Sequence, residues 1–156
     1  MGIAAKDQIH SDARGLRLAV VAARYNAAIV EQMVAGARNR WAELGGDPAS
    51  IQLLHVPGAF ELPLAARQLA RARSVDAVVA LGCVIRGDTA HFDFVAGECA
   101  RGVQQVMLDT GVPVSFGVLT TENEAQAQLR ASVTGMNKGA EAIDSAVHMI
   151  RLLQQL

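Results

Sequence analysis

Residues 16–23 read LRLAVVAA, a short apolar run with β-branched side chains that predicts a buried strand. Residues 27–44 follow, and their apolar side chains recur at helical spacing until Gly45 and Gly46 end the pattern. The apolar residues of this predicted helix are Val30, Met33, Val34, Ala37, Trp41 and Leu44. A strand followed by an amphipathic helix is therefore the first structural unit that the sequence predicts.

The same alternation continues along the rest of the chain. We predict further strands at residues 51–56, 75–85 and 114–119, and helices at about 60–73, at about 91–108 and from about 138 to the C-terminus. Thr121 and Glu124 have the spacing of a capping box at the start of one more helix. Strands that alternate with helices, without hairpin signals, form parallel sheets. The predicted fold is therefore α/β: a three-layer α/β/α domain with a four-stranded parallel sheet.

Length and composition limit the class of protein. A chain of 156 residues has room for one domain, which we place at residues 16–156 after a flexible N-terminal tail, residues 1–15. Hydrophobic residues make up 51% and charged residues 19%, which excludes a disordered chain. The net charge of -1 argues against a nucleic-acid partner. The sequence shows no signal peptide, lipidation motif or membrane-spanning run, so we expect a soluble, cytoplasmic protein.

The cysteines and histidines do not have the spacing of a metal site. Cys83 and Cys99 do not form a CxxC pair, and the four histidines form no HxH or HxxxH pair. We therefore expect neither a metal nor a disulfide framework.

Ligands of parallel sheets bind beyond the carboxyl ends of the strands, so the segments after the strands are the candidate sites. Arg24-Tyr25-Asn26 follows the first strand, and Asn26 is either a helix cap beside a half-exposed ring or part of a site. PGAFELP, residues 57–63, follows the second strand. Gly58 permits a tight turn there, and Glu61 is either a site residue or a first-turn carboxylate stabilised by the helix dipole.

The third strand is followed by RGDTAHF, residues 86–92, a glycine turn that leads into a helix. Free N–H groups at such a helix start commonly bind phosphate, although the chain contains neither a Walker loop nor a GxGxxG motif. His91 is either structural or a proton donor and acceptor. The tripeptide Arg86-Gly87-Asp88 also matches an adhesion motif, which we discount because three residues recur by chance.

The fourth strand is followed by Arg130 and then by Lys138, one of only two lysines in the chain. A Schiff-base role for Lys138 would need a desolvated site.

Five segments occur in a recognisable order and spacing: RYN at 24–26, PGAFELP at 57–63, ALGCVIRGDTAHFDFV at 80–95, FGVLTTEN at 116–123 and NKGAEA at 137–142. Together they closely resemble the lumazine synthase family, and the resemblance covers the chain after the tail. It implies a flavodoxin-like fold without a cofactor or metal. It also implies a transferase that condenses 5-amino-6-(D-ribitylamino)uracil with 3,4-dihydroxy-2-butanone 4-phosphate. The products are phosphate and 6,7-dimethyl-8-ribityllumazine, in the penultimate step of riboflavin biosynthesis.

The resemblance also implies a role for each candidate residue. By this resemblance, nine residues bind the pyrimidine and its ribityl chain: Tyr25, Ala59, Phe60, Glu61, Cys83, Val84, Ile85, Phe116 and Lys138. Tyr25 stacks on the ring, and the segment from Cys83 to Ile85 offers backbone groups. Phosphate binding falls to Asp88, Thr89 and Arg130, and the catalytic proton donor or acceptor is His91. In this family Phe116 is typically supplied by a neighbouring subunit.

Two residues depart from the family pattern. Tyr25 stands where Phe or Trp is usual, which keeps the stacking surface and adds a hydroxyl. Asp88 places a carboxylate beside the phosphate, so we expect its backbone N–H to bind while the side chain points away.

The low charged fraction and the Ala-rich helices predict self-association, although they do not predict its symmetry. The resemblance implies a homo-oligomer: a pentamer, a decamer or an icosahedral shell of 60 chains. It also makes riboflavin synthase a candidate partner. The short connection at residues 134–139 lacks the insertion common in pentamer-only members, while Met136 departs from the usual small residue. Two other functions stay open: a non-catalytic flavin-binding or shell-forming relative, and a Schiff-base phosphosugar lyase that uses Lys138.

Overall fold

A four-stranded parallel sheet organises the protein. The structure, a computed structural model, describes residues 12–156. Its strands are β1 (Leu18–Ala23), β2 (Gln52–Val56), β3 (Ala77–Ile85) and β4 (Val114–Thr121). They lie in the order β2-β1-β3-β4, and every neighbouring pair is parallel. The predicted α/β fold with four parallel strands is therefore confirmed.

Five helices cover the two faces of this sheet. They are α1 (Ala27–Glu43), α2 (Leu62–Ala72), α3 (His91–Thr110), α4 (Glu124–Ala131) and α5 (Lys138–Leu153). Buried side chains of α1, α4 and α5 pack on one face, and those of α2 and α3 pack on the other. Side chains of a strand alternate between the two faces of the sheet. In β1, Val20 therefore packs with α1, α4 and α5, and Val21 packs with α2 and α3. The result is the three-layer, flavodoxin-like layout.

The strand order predicts where a ligand binds. The chain runs from β1 to β2 on one side of the sheet and then returns past β1 to β3 on the other side. A reversal of this kind leaves a crevice beyond the carboxyl ends of the two central strands. In this protein those ends are Ala23 and Ile85.

Different residues define the starts of α2 and α4. Pro63 lies in the first turn of α2, where its missing N–H costs no helical hydrogen bond. The capping box of Thr121 and Glu124 does not form, because Thr121 is the last residue of β4 and its hydroxyl donates to the Asn123 carbonyl. Asn123 caps α4 instead, and its side chain accepts a hydrogen bond from the backbone N–H of Gln126 at 2.9 Å.

Most of the predicted N-terminal tail, residues 1–15, lies outside the described residues, and its described end is attached to the fold. The backbone N–H of Ala13 donates to the Leu44 carbonyl at 2.9 Å. The Arg151 guanidinium donates to the carbonyls of Asp12 at 2.9 Å and Arg14 at 3.0 Å. Within residues 12–156 no helix is long and apolar enough to span a membrane.

Candidate active site

The first segment of the site continues the β1–β2 pairing beyond the strands. Arg24 N–H donates to the Val56 carbonyl at 2.9 Å, and Tyr25 N–H donates to the Pro57 carbonyl at 3.1 Å. A Cβ on Gly58 would lie 2.7 Å from a carbon of the Tyr25 ring, so a larger residue at this position would displace the ring. The ring is 71% exposed. Tyr25 therefore presents an aromatic surface to solvent, supported from below by the Gly58 backbone.

Asn26 joins the two central strands. Its backbone is left-handed, with φ 58° and ψ 42°, and α1 begins directly after it. The side chain does not cap α1, which corrects one of the two predicted roles. Its amide donates to the Cys83 carbonyl at 2.8 Å instead. Asn26 thus fixes the segment that carries Tyr25 to the carboxyl end of β3.

The second segment forms a short 3₁₀ turn, Ala59–Glu61, at the start of α2. Glu61 accepts a hydrogen bond from the Gly58 backbone N–H at 2.9 Å, so its carboxylate stabilises the loop that it belongs to. Ala59 is buried, and the Phe60 ring is 57% exposed. A second aromatic surface therefore faces solvent at the same edge of the sheet.

The end of β3 offers backbone groups but no reactive thiol. Cys83 is buried, while Val84 and Ile85 are half-buried. Burial raises the pKa of the Cys83 thiol to about 11, and the negative charge of Glu124 adds to this increase. Because the nucleophilic form of cysteine is the thiolate, Cys83 is not a nucleophile near neutral pH.

The glycine turn after β3 leads directly into α3, a helix of twenty residues that begins at His91. Asp88, Thr89 and His91 are all exposed. The Thr89 hydroxyl accepts a hydrogen bond from the His91 backbone N–H at 3.3 Å. The start of a helix carries free N–H groups and a partial positive charge, both of which attract anions. The turn can therefore hold an anion beside the His91 imidazole.

The remaining candidates lie elsewhere, on the outer side of β4. Phe116, 43% exposed, pairs with Ala80, whereas the end of β3 pairs with Thr121. Five residues at roughly 3.3 Å each separate these two levels by about 16 Å along the sheet. Phe116 lines a groove of about 490 Å³ between β4 and α5, together with Arg130 and Lys138. Lys138 also forms an ion pair with Glu141.

The predicted site residues thus fall into two groups. We call the first the strand-end site; it comprises Tyr25, Ala59, Phe60, Glu61, Cys83, Val84, Ile85, Asp88, Thr89 and His91. The second, the β4 groove, contains Phe116, Arg130 and Lys138 and none of the strand-end residues. A single chain therefore does not bring all of the predicted residues into one cavity.

Sequence reasoning missed the structural role of two polar residues at these strand ends. The sequence predicts either a helix cap or a site residue at Asn26, and it places Arg86 in the glycine turn without a role of its own. The position of Arg86, directly after a predicted strand and beside a candidate anion turn, was the available signal. Within residues 12–156 no group of three or more His, Cys, Asp or Glu side chains is placed to hold a metal ion.

Fold and site together define a class: a flavodoxin-like α/β protein with exposed aromatic side chains at its strand ends, beside a glycine turn that leads into a helix. The family model described as 6,7-dimethyl-8-ribityllumazine synthase matches residues 15–154. The chain belongs to this family, which confirms the resemblance seen in the sequence.

Three relatives show how much of the chain the similarity covers, and each carries the name 6,7-dimethyl-8-ribityllumazine synthase. The protein from Thermus thermophilus is 51% identical over 144 residues, which are 92% of each chain. The protein from Halorhodospira halophila is 50% identical over 140 residues, 90% of each chain. That from Nitratidesulfovibrio vulgaris is 45% identical over 145 residues, 93% of each chain.

Proposed function

We propose that this protein is a 6,7-dimethyl-8-ribityllumazine synthase, a transferase of riboflavin biosynthesis. It condenses 5-amino-6-(D-ribitylamino)uracil with 3,4-dihydroxy-2-butanone 4-phosphate and releases phosphate. The observation that carries this proposal is the match to relatives of this name, at about half identity over nine-tenths of the chain. The edge of the sheet supports it, because exposed aromatic rings and an anion-binding turn suit a heterocycle and a phosphate.

The heterocyclic substrate binds at the strand-end site. The exposed ring of Tyr25 stacks on the pyrimidine, and stacking on an aromatic side chain is favourable for any flat heterocycle. The backbone from Cys83 to Ile85 supplies hydrogen-bonding groups to the ring edge. Ala59, Phe60 and Glu61 line the ribityl side, where the second oxygen of the Glu61 carboxylate accepts hydrogen bonds from the ribityl hydroxyls.

The phosphate substrate binds at the turn before α3. Backbone N–H groups of Asp88 and Thr89, with the partial positive charge of the helix start, hold the phosphate while the Asp88 side chain points to solvent. Arg130 adds the full positive charge. His91, the first residue of α3, moves protons. The pyrimidine supplies its own amine as the nucleophile, so the reaction needs no covalent lysine and no cofactor.

The β4 groove reaches this site from a neighbouring copy of the chain. Phe116, Arg130 and Lys138 of one copy complete the strand-end site of the next, because the two groups do not meet within one chain. Contact between two different faces of identical chains is heterologous, and repetition of such a contact closes a ring when the rotation between neighbours divides a full turn. We propose a pentamer or a multiple of it, with riboflavin synthase as a further partner. The free, buried cysteines suit a reducing cytoplasm.

The assembly is tested by light scattering on the purified protein. The expected mass is five times that of the chain, or a multiple of that mass, and a single 16.4 kDa species would contradict the shared site.

The activity is tested by mixing the purified protein with both substrates. We expect lumazine fluorescence to rise together with free phosphate, and neither to rise when one substrate is omitted. Binding of the pyrimidine without turnover would contradict the activity and would instead indicate a non-catalytic relative. A borohydride-stable adduct on Lys138 would favour the Schiff-base lyase.

A further inference from the structure

We infer that Arg86 is a positioning residue for the phosphate-binding turn, an inference that rests on the proposed function. Arg86 directly follows β3, and its backbone N–H donates to the Thr121 carbonyl at 2.9 Å. This bond continues the β3–β4 pairing by one residue, so the backbone entering the turn has a fixed position. The turn itself then runs through Gly87, Asp88, Thr89 and Ala90 before α3 begins.

The Arg86 side chain folds back across the turn to groups on its far side. Its guanidinium carbon lies 4.2 Å from the centre of the Phe92 ring. One guanidinium nitrogen lies 3.2 Å from a carboxylate oxygen of Asp93. Phe92 and Asp93 are both in the first turn of α3. A single side chain thus links the residue before the turn to the helix after it.

Arg86 also fixes the turn to the end of β4. The guanidinium Nε donates to Glu122 at 3.0 Å and 3.3 Å to its two carboxylate oxygens. The Glu122 backbone N–H donates to the Gln126 side chain at 3.0 Å, so Glu122 is itself held by α4. Arg86 therefore joins three elements at one point: β3, α3 and the segment before α4.

The turn has little internal support of its own. The bond from the His91 N–H to the Thr89 hydroxyl is long, at 3.3 Å, and a Cβ on Gly87 would meet nothing within 4 Å. A loop that is not already ordered must lose conformational freedom when it binds a ligand, which weakens binding. By fixing both ends of the turn, Arg86 reduces this loss. The chemistry that it serves is phosphate recognition.

Arg86 is not itself a phosphate ligand. Two carboxylates, Asp93 and Glu122, surround its guanidinium and more than neutralise its charge. All three side chains are more than one-third exposed, and exposed ion pairs contribute little to global stability. Loss of Arg86 should therefore disturb the turn and leave the fold in place.

The test compares Arg86→Gln with the full-length wild-type protein in steady-state kinetics. We expect the KM for the phosphate substrate to rise about tenfold, while kcat and the KM for the pyrimidine change by less than about twofold. The Ki of inorganic phosphate should rise by a similar factor. The melting midpoint should stay within about 3 °C. An equal rise in both KM values, or no rise in either, overturns the inference.

Three further variants separate positioning from a general loss of structure. Arg86→Lys keeps the positive charge but lacks the planar guanidinium group, so it should have part of the phosphate affinity that Arg86→Gln loses. Glu122→Gln should raise the same KM, and combining it with Arg86→Gln should add little. Arg101→Gln is the matched control, because Arg101 is an exposed arginine of α3 whose single ion pair within residues 12–156 is with Glu98 of the same helix, at 3.4 Å. A KM change in Arg101→Gln as large as that in Arg86→Gln overturns the inference.

The proposed function and the inference can fail separately. If the wild-type protein forms no lumazine, the proposed function fails, and the inference is then decided by calorimetry with inorganic phosphate. Binding to the wild type that is about tenfold weaker in Arg86→Gln supports positioning. Equal affinities, or no binding of phosphate to the wild type, overturn it.

Discussion

At the scale of single residues, positioning and phosphate binding should matter more than proton transfer. Two reactants held in attack geometry can gain about 7–11 kcal/mol, whereas one general acid or base supplies roughly 3–5 kcal/mol. We therefore expect His91→Ala to keep measurable activity and Arg130→Ala to lose most of it, since phosphate is both an anchor and the leaving group. Steady-state rates of the two variants check this ranking, and the opposite order contradicts it.

The two buried thiols make the free energy of unfolding depend on pH in the alkaline range. Burial raises the pKa of Cys83 and of Cys99 from 9.0 to about 11. As the pH rises, the thiols ionise in the unfolded chain before they ionise in the folded protein. Their contribution to the free energy of unfolding is therefore complete below about pH 9 and is lost progressively between about pH 9 and pH 11. We expect the free energy of unfolding, measured with urea, to fall across this range.

The matched control for the thiols is the double variant Cys83→Ala with Cys99→Ala. Its stability should fall less steeply between pH 9 and pH 11, because the variant lacks both titrating groups. Parallel pH profiles for the variant and the wild type contradict the prediction.

Residue types could be predicted from the sequence more reliably than residue contacts. The segments that carry Tyr25, Glu61 and His91 do follow strands, as the alternation of strands and helices indicates. The bond from Asn26 to Cys83 spans 57 positions of the chain, and no local pattern reports such a contact. The capping box at Thr121 failed for a related reason: pairing with β3 extends β4 through Thr121, so α4 begins only at Glu124 and Asn123 is its cap.

At the scale of the elements, the crossing of α1 and α5 is unusually close. A Cβ on Gly139, in the first turn of α5, would overlap the carbonyl oxygen of Met33 in α1. Backbone that is packed against backbone cannot move aside as a flexible side chain can. We expect Gly139→Ala to lower the free energy of unfolding by about 1–3 kcal/mol in urea denaturation, the usual cost of overpacking.

A glycine within α3 provides the control for this crossing. A Cβ on Gly97 meets nothing within 4 Å, and Gly97 lies in the interior of the helix. Gly97→Ala should therefore raise the free energy of unfolding by about 0.5–1 kcal/mol, because alanine loses less backbone entropy in a helix. Equal effects at the two glycines would show that helix propensity, rather than the crossing, determines the result.

The elements themselves were largely predictable because their periodicity is strong. The buried stripe of α1 contains Val30, Met33 and Trp41 at the predicted spacing. The order of the strands was less accessible, since it depends on which strands pair, and alternation specifies only that they are parallel. β2 is an edge strand with half-exposed and exposed residues, which its apolar sequence does not show.

At the scale of the whole molecule, the low charged fraction and the exposed apolar side chains both support the proposed association of several copies. Large hydrophobic residues are exposed both on the layer of α2 and α3, as Leu64 and Phe94, and beside β4, as Phe116 and Met149. Composition alone predicted that such surface would be buried by association. It could not show that the two surfaces also divide the candidate site, because that depends on the position of Phe116 in β4 relative to the end of β3.

In the proposed ring, the separation of Phe116 from Tyr25 has a genetic consequence: two inactive alleles should complement each other. Tyr25→Ala damages the strand-end site, and Arg130→Ala damages the β4 groove. When the two variants are expressed together in equal amounts, about a quarter of the contacts in a ring join two undamaged faces. We expect about a quarter of the wild-type activity in these mixed rings, measured as lumazine formation.

The pair Tyr25→Ala with Phe60→Ala serves as the control, because both changes lie on the same face and no contact between these variants pairs a fully intact strand-end site with a groove. Co-expression of this pair should restore nothing. A selection for growth without riboflavin would then sort inactive alleles into two complementation groups, one for each face of the chain.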